Sequence, residues 1–218
     1  MEEKINVFLE NLEKYYIFDI KQNTINSGAN GVVSYGTMYK KDDTENKIPI
    51  ALKTYKDNSK IQFDNEKQFF KDIEKLGVNC DYIVKCYGIT HIDEKEYIVM
   101  EDLNIFGFIT IEKLYIANVN LYKTRTNQIN AAITKLKEIK KYLFENKIII
   151  HGDLKDDNIM ISLRNGIVKL IDFGSSSIIK DKEQLTKKQQ IMLKSDLIGL
   201  EEITKYFNEL VSYQNIQK

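Results

Sequence analysis

Short runs of β-branched and aromatic residues in the first half of the chain predict a sheet. These runs are residues 16–20, 32–39, 48–55, 83–90 and 96–100. Polar residues 40–47 between two of the runs predict a hairpin loop. Residues 63–76 instead carry apolar side chains at helical spacing. We therefore expect a five-stranded sheet interrupted by one helix.

The first residues of the chain are predicted to form another helix. Ile5, Phe8, Leu9 and Leu12 follow helical spacing within residues 3–15. We expect a short amphipathic helix that packs on the first of two lobes in the chain. A helix that binds a partner protein is the alternative.

The second half of the chain has a helical pattern. Its predicted elements are a long amphipathic helix at 127–144, a buried strand at 148–150, a hairpin of 159–161 with 167–171, and a final helix at 195–211. Asn165-Gly166 is the turn of the hairpin. A boundary near 103–107 divides the chain into a first lobe at 1–103 and a second, helical lobe at 104–218.

Composition and charge exclude several classes of protein. The 218 residues are 43% hydrophobic and 29% charged, which is an ordinary globular mixture. Basic and acidic residues are equal at 32 each, so the chain lacks the basic excess typical of nucleic-acid binding. We find no apolar run long enough to span a membrane and no visible signal peptide.

The strongest chemical signal is residues 151–158, His-Gly-Asp-Leu-Lys-Asp-Asp-Asn, followed by Asp-Phe-Gly at 172–174. Carboxylate and amide oxygens are the ligands that Mg²⁺ prefers, so Asn158 and Asp172 are predicted to hold the metal. Asp153 would accept or orient the proton of an attacking hydroxyl, and Lys155 would reach a transferring phosphoryl group. The two motifs in this order, with a hairpin between them, predict phosphoryl transfer.

A glycine-containing segment precedes this signal at residues 26–33, between two predicted strands. Gly28 and Gly31 would let backbone amides approach phosphates. A plain hairpin turn is the alternative for this segment taken alone. Lys53 on the next predicted strand favours phosphate binding over a plain turn, because a lysine there can pair with the α- and β-phosphates.

Lys53 needs an acidic partner if it is to be buried. Glu66 lies on the same predicted helical face as the apolar residues at offsets of three, four and seven. A carboxylate on an apolar face is costly unless it is paired. Glu74 is the competitor, but its apolar face does not continue, because Gly77 follows at offset three.

These residues together resemble the protein-kinase superfamily, with its glycine-rich loop, β3 lysine, helix-C glutamate, catalytic loop and Asp-Phe-Gly. The resemblance covers roughly residues 16–211 and implies an α+β, two-lobed kinase-like fold that binds ATP and Mg²⁺. It also implies roles for further residues. Met100 would be the gatekeeper, Glu101 and Leu103 would belong to the hinge that meets adenine, the adenine slot would comprise Val33, Ala51 and Met160, and Asp196 would anchor the catalytic loop.

The chain departs from the family pattern at several positions. Asn26 replaces the first glycine of the loop, and Gly152 replaces the arginine of His-Arg-Asp. That arginine normally docks a phosphorylated activation loop, so we expect activity without such phosphorylation. No Ala-Pro-Glu motif follows Asp-Phe-Gly, and a truncated helical second lobe is expected because the sequence ends soon after the helix-F equivalent.

Several functions stay open at this point. The first is a minimal Ser/Thr protein kinase, similar to the compact effector kinases of bacterial pathogens, because Lys155 follows the Ser/Thr pattern. The alternatives are a small-molecule kinase of the aminoglycoside or choline type, a minimal kinase-like ATPase and a pseudokinase. The resemblance implies a protein substrate, with a host protein as one candidate, and no nucleic acid. The expected location is cytoplasmic, or a host cell reached without a visible signal peptide.

Overall fold

A computed structural model describes residues 2–9, 14–27, 31–77, 80–116, 124–145, 149–179 and 184–216. The chain divides into two compact units, here called unit 1 (Met1–Lys71 with Val84–Ile105) and unit 2 (Asp72–Ile83 with Phe106–Lys218). Strands dominate unit 1 and helices dominate unit 2, so the predicted α+β class is confirmed.

The described part of unit 1 is built on a six-stranded antiparallel sheet. In spatial order its strands are β1 (Glu2–Leu9), β2 (Lys14–Ser27), β3 (Gly31–Lys40), β4 (Asp43–Tyr55), β6 (Lys95–Glu101) and β5 (Cys86–Ile92). Apolar side chains from these strands form one core, which includes Val7, Leu9, Phe18, Met38, Ile50, Leu52 and Val99. The two edge strands also meet, because Thr90 Oγ1 on β5 donates to the carbonyl of Phe8 on β1 at 2.9 Å.

The amino-terminal helix predicted over residues 3–15 is wrong. Strand β1 occupies Glu2–Leu9 and pairs with β2 along its whole length, so the sheet has six strands where five were predicted. The physical reason is the burial of Val7 and Leu9 while Phe8 between them is 41% exposed, which is a period of two. The prediction of a helix did not take the apolar residue Val7 into account.

The helix predicted over residues 63–76 is present and begins three residues earlier. Helix α1 (Lys60–Lys75) follows a 3-10 turn at Asp57–Ser59. Its buried side chains are Phe63, Glu66, Phe69 and Phe70. Their offsets of three, four and seven put all four on one face of the helix, so a carboxylate lies in an otherwise aromatic surface.

Unit 2 combines three described helices with short strands. The helices are α2 (Ile111–Ile116), α3 (Thr126–Glu145) and α4 (Lys187–Ile216). Strands β7 (Phe108–Thr110), β9 (Ile159–Ser162) and β10 (Val168–Leu170) form one small sheet, and β8 (Ile149–Ile150) pairs with β11 (Ser177–Ile178). Helices α3 and α4 contact each other, and both carry buried apolar side chains, which include Ile129, Ile133, Leu136, Leu200, Ile203 and Phe207. The predicted hairpin of β9 and β10 is confirmed.

Helix α4 begins eight residues before the predicted start at Ser195, because a capping box lies upstream. The backbone N–H of Gln189 donates to Thr186 Oγ1 at 3.2 Å, and the N–H of Thr186 donates to Gln189 Oε1 at 3.0 Å. These reciprocal bonds satisfy amides at the start of the helix that would otherwise lack partners.

The division into units also differs from the predicted boundary at 103/104. Unit 1 extends to Ile105, and residues 72–83 belong to unit 2. Backbone pairing explains this assignment, because the N–H of Leu170 donates to the carbonyl of Tyr82 at 2.6 Å and Ile83 bridges Leu170. Among the described helices, none is both long enough and apolar enough to cross a membrane.

Candidate active site

Unit 1 contains a buried ion pair between a strand and a helix. Lys53 Nζ on β4 donates to Glu66 Oε2 on α1 at 2.7 Å, and the two residues are 8% and 0% exposed. The Tyr55 hydroxyl donates to the same carboxylate oxygen. Lys53 Nζ also lies 5.0 Å from the centre of the Tyr55 ring, which adds a cation–π contact. The structure therefore pairs Lys53 with Glu66, and the action of this pair on phosphates stays a prediction.

Four predicted binding residues share one face of the unit 1 sheet. Val33 lies opposite Lys53 in the β3–β4 register, and Ala51 lies opposite Met100 in the β4–β6 register. Directly opposed residues point to the same side of a sheet, and Ala51 and Lys53 are two positions apart on one strand. The strand pairing thus gathers Val33, Ala51, Lys53 and Met100 on one surface.

The predicted hinge residues lie at the end of β6 and just after it. The Glu101 side chain accepts a hydrogen bond from the Lys85 N–H at 2.7 Å, and the Glu101 N–H donates to the Lys85 carbonyl at 3.0 Å. Leu103 is 5% exposed. The carboxylate of Glu101 is thus engaged with the backbone of Lys85, and the contact of the hinge main chain with adenine stays a prediction.

The glycine-containing loop is only partly described. Gly28 lies outside the described residues, while Gly31 is the first residue of β3 and pairs with Tyr55 at the end of β4. Gly31 therefore lies at the end of β3 that is farthest from the β3–β4 turn, two residues before Val33. Phosphate binding by this loop stays a prediction.

The predicted catalytic loop lies in unit 2, between β8 and β9. The amide nitrogen of Asn158 donates to the Asp153 carbonyl at 2.7 Å and to Asp153 Oδ2 at 3.1 Å. Lys155 Nζ lies 3.3 Å from the same Oδ2. The Asp153 side chain is nevertheless 48% exposed, so its carboxylate is oriented by two neighbours and open to an incoming group.

The neighbouring carboxylates favour the protonated form of Lys155 in this loop. Burial acts to lower the pKa of Lys155, but the charges of Asp153 and Asp157 outweigh it, so the pKa is raised. Lys155 Nζ lies 4.0 Å from Asp157 Oδ2. An ammonium group next to a half-exposed carboxylate is suited to stabilise negative charge on a phosphoryl group.

The predicted metal ligands supply hard oxygen donors. Asn158 is 5% exposed, and its amide nitrogen donates a hydrogen bond to Asp153. Its amide oxygen, Oδ1, therefore points away from Asp153. The N–H of Ile171 donates to the carbonyl of Asn158 at 3.0 Å, which brings the residue before Asp172 next to Asn158. Asp172 has a φ of 62°, a left-handed conformation that aspartate tolerates better than most residues and that is enriched at functional sites.

This donor set fits Mg²⁺ better than a tightly ligated transition metal. Mg²⁺ commonly takes one or two protein oxygens and completes its shell with water and phosphate. Over the part of the chain that the structure describes, no cluster of three His, Cys, Asp or Glu side chains could hold a metal on its own. The assignment of Asn158 and Asp172 as ligands of a metal that arrives with a nucleotide stays a prediction.

Asp196 holds the start of the catalytic loop from inside α4. Its fully buried carboxylate accepts from the backbone N–H of His151 at 2.8 Å, Gly152 at 3.1 Å and Leu154 at 3.3 Å. Burial raises the pKa of Asp196, and these hydrogen bonds act in the opposite direction. The geometry matches the anchoring role that the family resemblance implies.

His151 is buried against the Asp-Phe-Gly segment. Its Nε2 lies 2.9 Å from the carbonyl of Ile171, and its ring centre lies 4.9 Å from that of Phe173. Burial lowers the pKa of His151, so the ring is neutral at pH 7. His151 therefore connects the catalytic loop to the segment that carries Asp172.

The structure explains why residue 152 is a glycine, which the sequence motif alone did not. Its φ is +82°, and a Cβ built at this position would lie 2.5 Å from both the Ser175 carbonyl oxygen and Met192 Cε. No other residue fits without displacement of the backbone. The place of the family arginine is thus taken by direct contact between the catalytic loop and the segment after Asp-Phe-Gly.

The sequence analysis did not identify two residues that make contacts at the candidate site. It named Met160 but not the elements around that residue. Tyr55 is two positions after Lys53 on the same strand, so strand periodicity could have revealed it. Ser176 Oγ donates to the His151 carbonyl at 2.9 Å, a contact between distant segments that no local pattern signals. Met160 lies on β9 in unit 2 and is 8% exposed.

The chain belongs to the protein kinase domain family, because residues 22–195 match the model of that family. This match covers well over half of the 218 residues and spans the segment from Gly28 to Asp172. The kinase-like fold expected from the sequence is therefore confirmed.

Individual relatives are protein kinases that are longer than this chain. An Aurora kinase of Eremothecium gossypii is 29% identical over 156 residues, which is 68% of this chain and 38% of the relative. An Aurora kinase of Saccharomyces cerevisiae is 31% identical over 136 residues, 59% of this chain and 33% of the relative. A probable serine/threonine-protein kinase of Dictyostelium discoideum is 35% identical over 145 residues, 65% of this chain and 29% of the relative. The chain thus spans between a quarter and two fifths of these proteins.

Proposed function

We propose that the chain transfers the γ-phosphoryl group of ATP, with Mg²⁺, to serine or threonine hydroxyls of a protein substrate. The observation that carries this proposal is the half-exposed Asp153 carboxylate, which Asn158 and Lys155 orient. Family membership and similarity to named serine/threonine-protein kinases support the same reaction.

Asp153 would position the substrate hydroxyl and take its proton as the oxygen attacks phosphorus. One P–O bond forms to the substrate, the bond to the β-phosphate oxygen breaks, and ADP leaves. Lys155, 3.3 Å from the Asp153 carboxylate, would balance charge on the transferring group.

Asn158 and Asp172 would hold Mg²⁺ through their oxygen atoms. When bound, the metal ion would neutralise charge on the phosphate oxygens. The chain's own contribution is to fix these donors, through the backbone bond from Ile171 to Asn158 and the left-handed turn at Asp172.

The unit 1 residues would bind the nucleotide. Lys53, held by Glu66, would pair with the α- and β-phosphates, while Gly28 and Gly31 would present backbone amides to them. Adenine would meet the apolar surface of Val33, Ala51 and Met100, and it would hydrogen-bond to the main chain of residues 101–103. The part that Met160 of unit 2 would take in this slot stays a prediction.

Activity without phosphorylation of the activation segment is part of the proposal. Ser176 bonds to the His151 carbonyl, and β11 pairs with β8, which precedes the catalytic loop. Ile150, Ile179 and Leu193 pack together beside this pair. These contacts of residues 176–179 support the proposal, because they fix the start of the segment through backbone pairing and apolar packing.

The test uses the purified chain with labelled ATP and Mg²⁺, supplied separately with protein extract, aminoglycosides or choline. Transfer to proteins, lost in Asp172→Ala and mapped to serine or threonine by mass spectrometry, is the expected result. Transfer confined to the small molecules, or hydrolysis of ATP without transfer, would contradict the proposal. The natural substrate, with a host protein as one candidate, and the cytoplasmic or host-cell location stay predictions.

A further inference from the structure

Helix α1 contacts the sheet of unit 1 through a second ion pair, one residue after Glu66. Lys67 Nζ lies 2.8 Å from Glu96 Oε1 on β6, and it also lies 3.3 Å from Asp64 Oδ1 within α1. The Lys67 and Glu96 side chains are 21% and 26% exposed, so this pair is partly shielded from water. Of the two carboxylates next to Lys67, only that of Glu96 joins the helix to the sheet.

The surroundings of Lys67 keep its side chain charged and in contact with the helix. Burial acts to lower the pKa of Lys67, but hydrogen bonds and charges from Glu96 and Asp64 outweigh it, so the pKa is raised. Lys67 Nζ lies 5.3 Å from the centre of the Phe63 ring, which adds a cation–π contact. Phe63 belongs to the buried face of α1, so this contact ties the ammonium group to the packed part of the helix.

Glu96 is held in place by the two strands beside it. Thr54 Oγ1 on β4 donates to the Glu96 carbonyl at 2.9 Å, and Thr54 directly follows Lys53 in the sequence. Glu96 also lies opposite His91 in the β5–β6 register, with His91 Nε2 3.8 Å from Glu96 Oε1. The carboxylate that meets Lys67 therefore belongs to the strand segment that is bonded to the neighbour of Lys53.

Contacts from two consecutive residues control the rotation of α1 about its axis. An α-helix has about 3.6 residues per turn, so the Glu66 and Lys67 side chains leave the axis about 100° apart. At a radius of about 5–6 Å, half the usual helix diameter, a rotation of about 20° moves the end of a side chain by about 2 Å. Such a movement would carry the contact of 2.7 Å between Lys53 Nζ and Glu66 Oε2 beyond hydrogen-bond distance.

We infer that Lys67 and Glu96 are positioning residues, which hold α1 at the rotation where Glu66 meets Lys53. This inference rests on the proposed function, because the pair would act on the nucleotide phosphates only through Lys53. Ion pairs with solvent-accessible side chains add little to the free energy of unfolding. Loss of the Lys67–Glu96 pair should therefore change catalysis far more than stability.

The first test compares two matched truncations next to Lys67, in transfer of the labelled γ-phosphoryl group to a serine or threonine peptide. Glu96→Ala removes the carboxylate on the sheet, and Asp64→Ala removes the carboxylate on the helix itself. We expect Glu96→Ala to lower kcat by about tenfold or more, because a misplacement of about 1 Å can cost about a hundredfold. Asp64→Ala should stay within about threefold of the wild type, as expected for an exposed pair. Equal kcat values for the two truncations would overturn the positioning role.

The second test asks whether the pair acts through Glu66. Lys67→Met should lower kcat as Glu96→Ala does, and Lys67→Arg should restore most of it, because a guanidinium also pairs with a carboxylate. In a Glu66→Gln background, where the positioned contact is already weakened, the further change Lys67→Met should lower kcat by at most about threefold. The same full loss in both backgrounds, or no recovery in Lys67→Arg, would contradict the inference.

The third test follows α1 itself and does not require turnover. Hydrogen exchange of the backbone amides in residues 60–75, measured by mass spectrometry, reports how firmly the helix is held. We expect faster exchange in Glu96→Ala than in Asp64→Ala, with the urea unfolding midpoints of both variants close to that of the wild type. Equal exchange in the two variants would overturn the proposed link. Failure of the wild type to phosphorylate any peptide would instead contradict the proposed function, and the exchange result would still decide whether Glu96 holds α1.

Discussion

Replacement of Lys53 and Glu66, singly and together, distinguishes the contribution of this ion pair to stability from its contribution to catalysis. At 2.7 Å and an effective dielectric constant of about 20, their gross Coulomb attraction is about 6 kcal/mol, of which desolvation cancels a large part. Glu66→Leu leaves a buried ammonium without this carboxylate, and Lys53→Met leaves a buried carboxylate without this cation. Each should lower the free energy of unfolding by about 3–5 kcal/mol.

The double variant Lys53→Met/Glu66→Leu should behave differently. Apolar groups of similar size often replace a buried ion pair at little cost, so its stability should lie within about 1 kcal/mol of the wild type. The coupling energy would then be at least about 5 kcal/mol. Phosphoryl transfer should nevertheless stay at least about a hundredfold below wild type, because the proposed phosphate contact is missing.

Urea unfolding followed by circular dichroism measures the four stabilities. Tyr55→Phe is the control for the second hydrogen bond to Glu66, and it should cost less than either single replacement. Strictly additive losses in the double variant would refute the buried-pair reasoning. Recovery of transfer together with stability would refute the proposed catalytic role of Lys53.

Three further outcomes follow from unit 2. Gly152→Ala should cost at least about 2 kcal/mol of stability by urea unfolding, because the added methyl meets the Ser175 carbonyl at a φ of +82°; an unchanged midpoint would contradict this. Asp196→Ala should cost about 3 kcal/mol by the same method, since it removes a buried acceptor of three backbone N–H groups, and a loss under about 1 kcal/mol would speak against that anchor. Burial lowers the pKa of His151 below its ordinary 6.5, so the unfolded chain binds the extra proton and stability should fall by up to about 1.4 kcal/mol per pH unit as pH drops below 6.5. The chain has two histidines, and a pH slope unchanged in His151→Phe would assign the effect elsewhere.

The catalytic half of the candidate site could be predicted because its residues are close in sequence. Asp153, Lys155 and Asn158 lie within six positions, so local geometry alone brings them together. Glu66 could be found across a longer distance, because a single carboxylate on an aromatic helical face requires a buried partner. Each inference depended on one constraint that the sequence states directly.

Errors arose where two patterns competed or where contacts join distant segments. Residues 5, 8 and 9 fit a helix while Ile5, Val7 and Leu9 fit a strand, and pairing with β2 decides the outcome. The reason for Gly152 could not be predicted, since the atoms that exclude a side chain belong to Ser175 and Met192.

The measurement closest to the central claim is a comparison of two isosteric charge removals beside Lys155. Asp153→Asn and Asp157→Asn each delete one carboxylate near the same ammonium, at 3.3 Å and 4.0 Å, and the two side chains are 48% and 47% exposed. In transfer of the labelled γ-phosphoryl group to a serine or threonine peptide, Asp153→Asn should lower kcat by about a hundredfold or more, the scale of a positioned acid or base. Asp157→Asn should stay within about threefold of the wild type. Equal rates for the two variants would contradict the assignment of Asp153 as the residue that receives the hydroxyl proton.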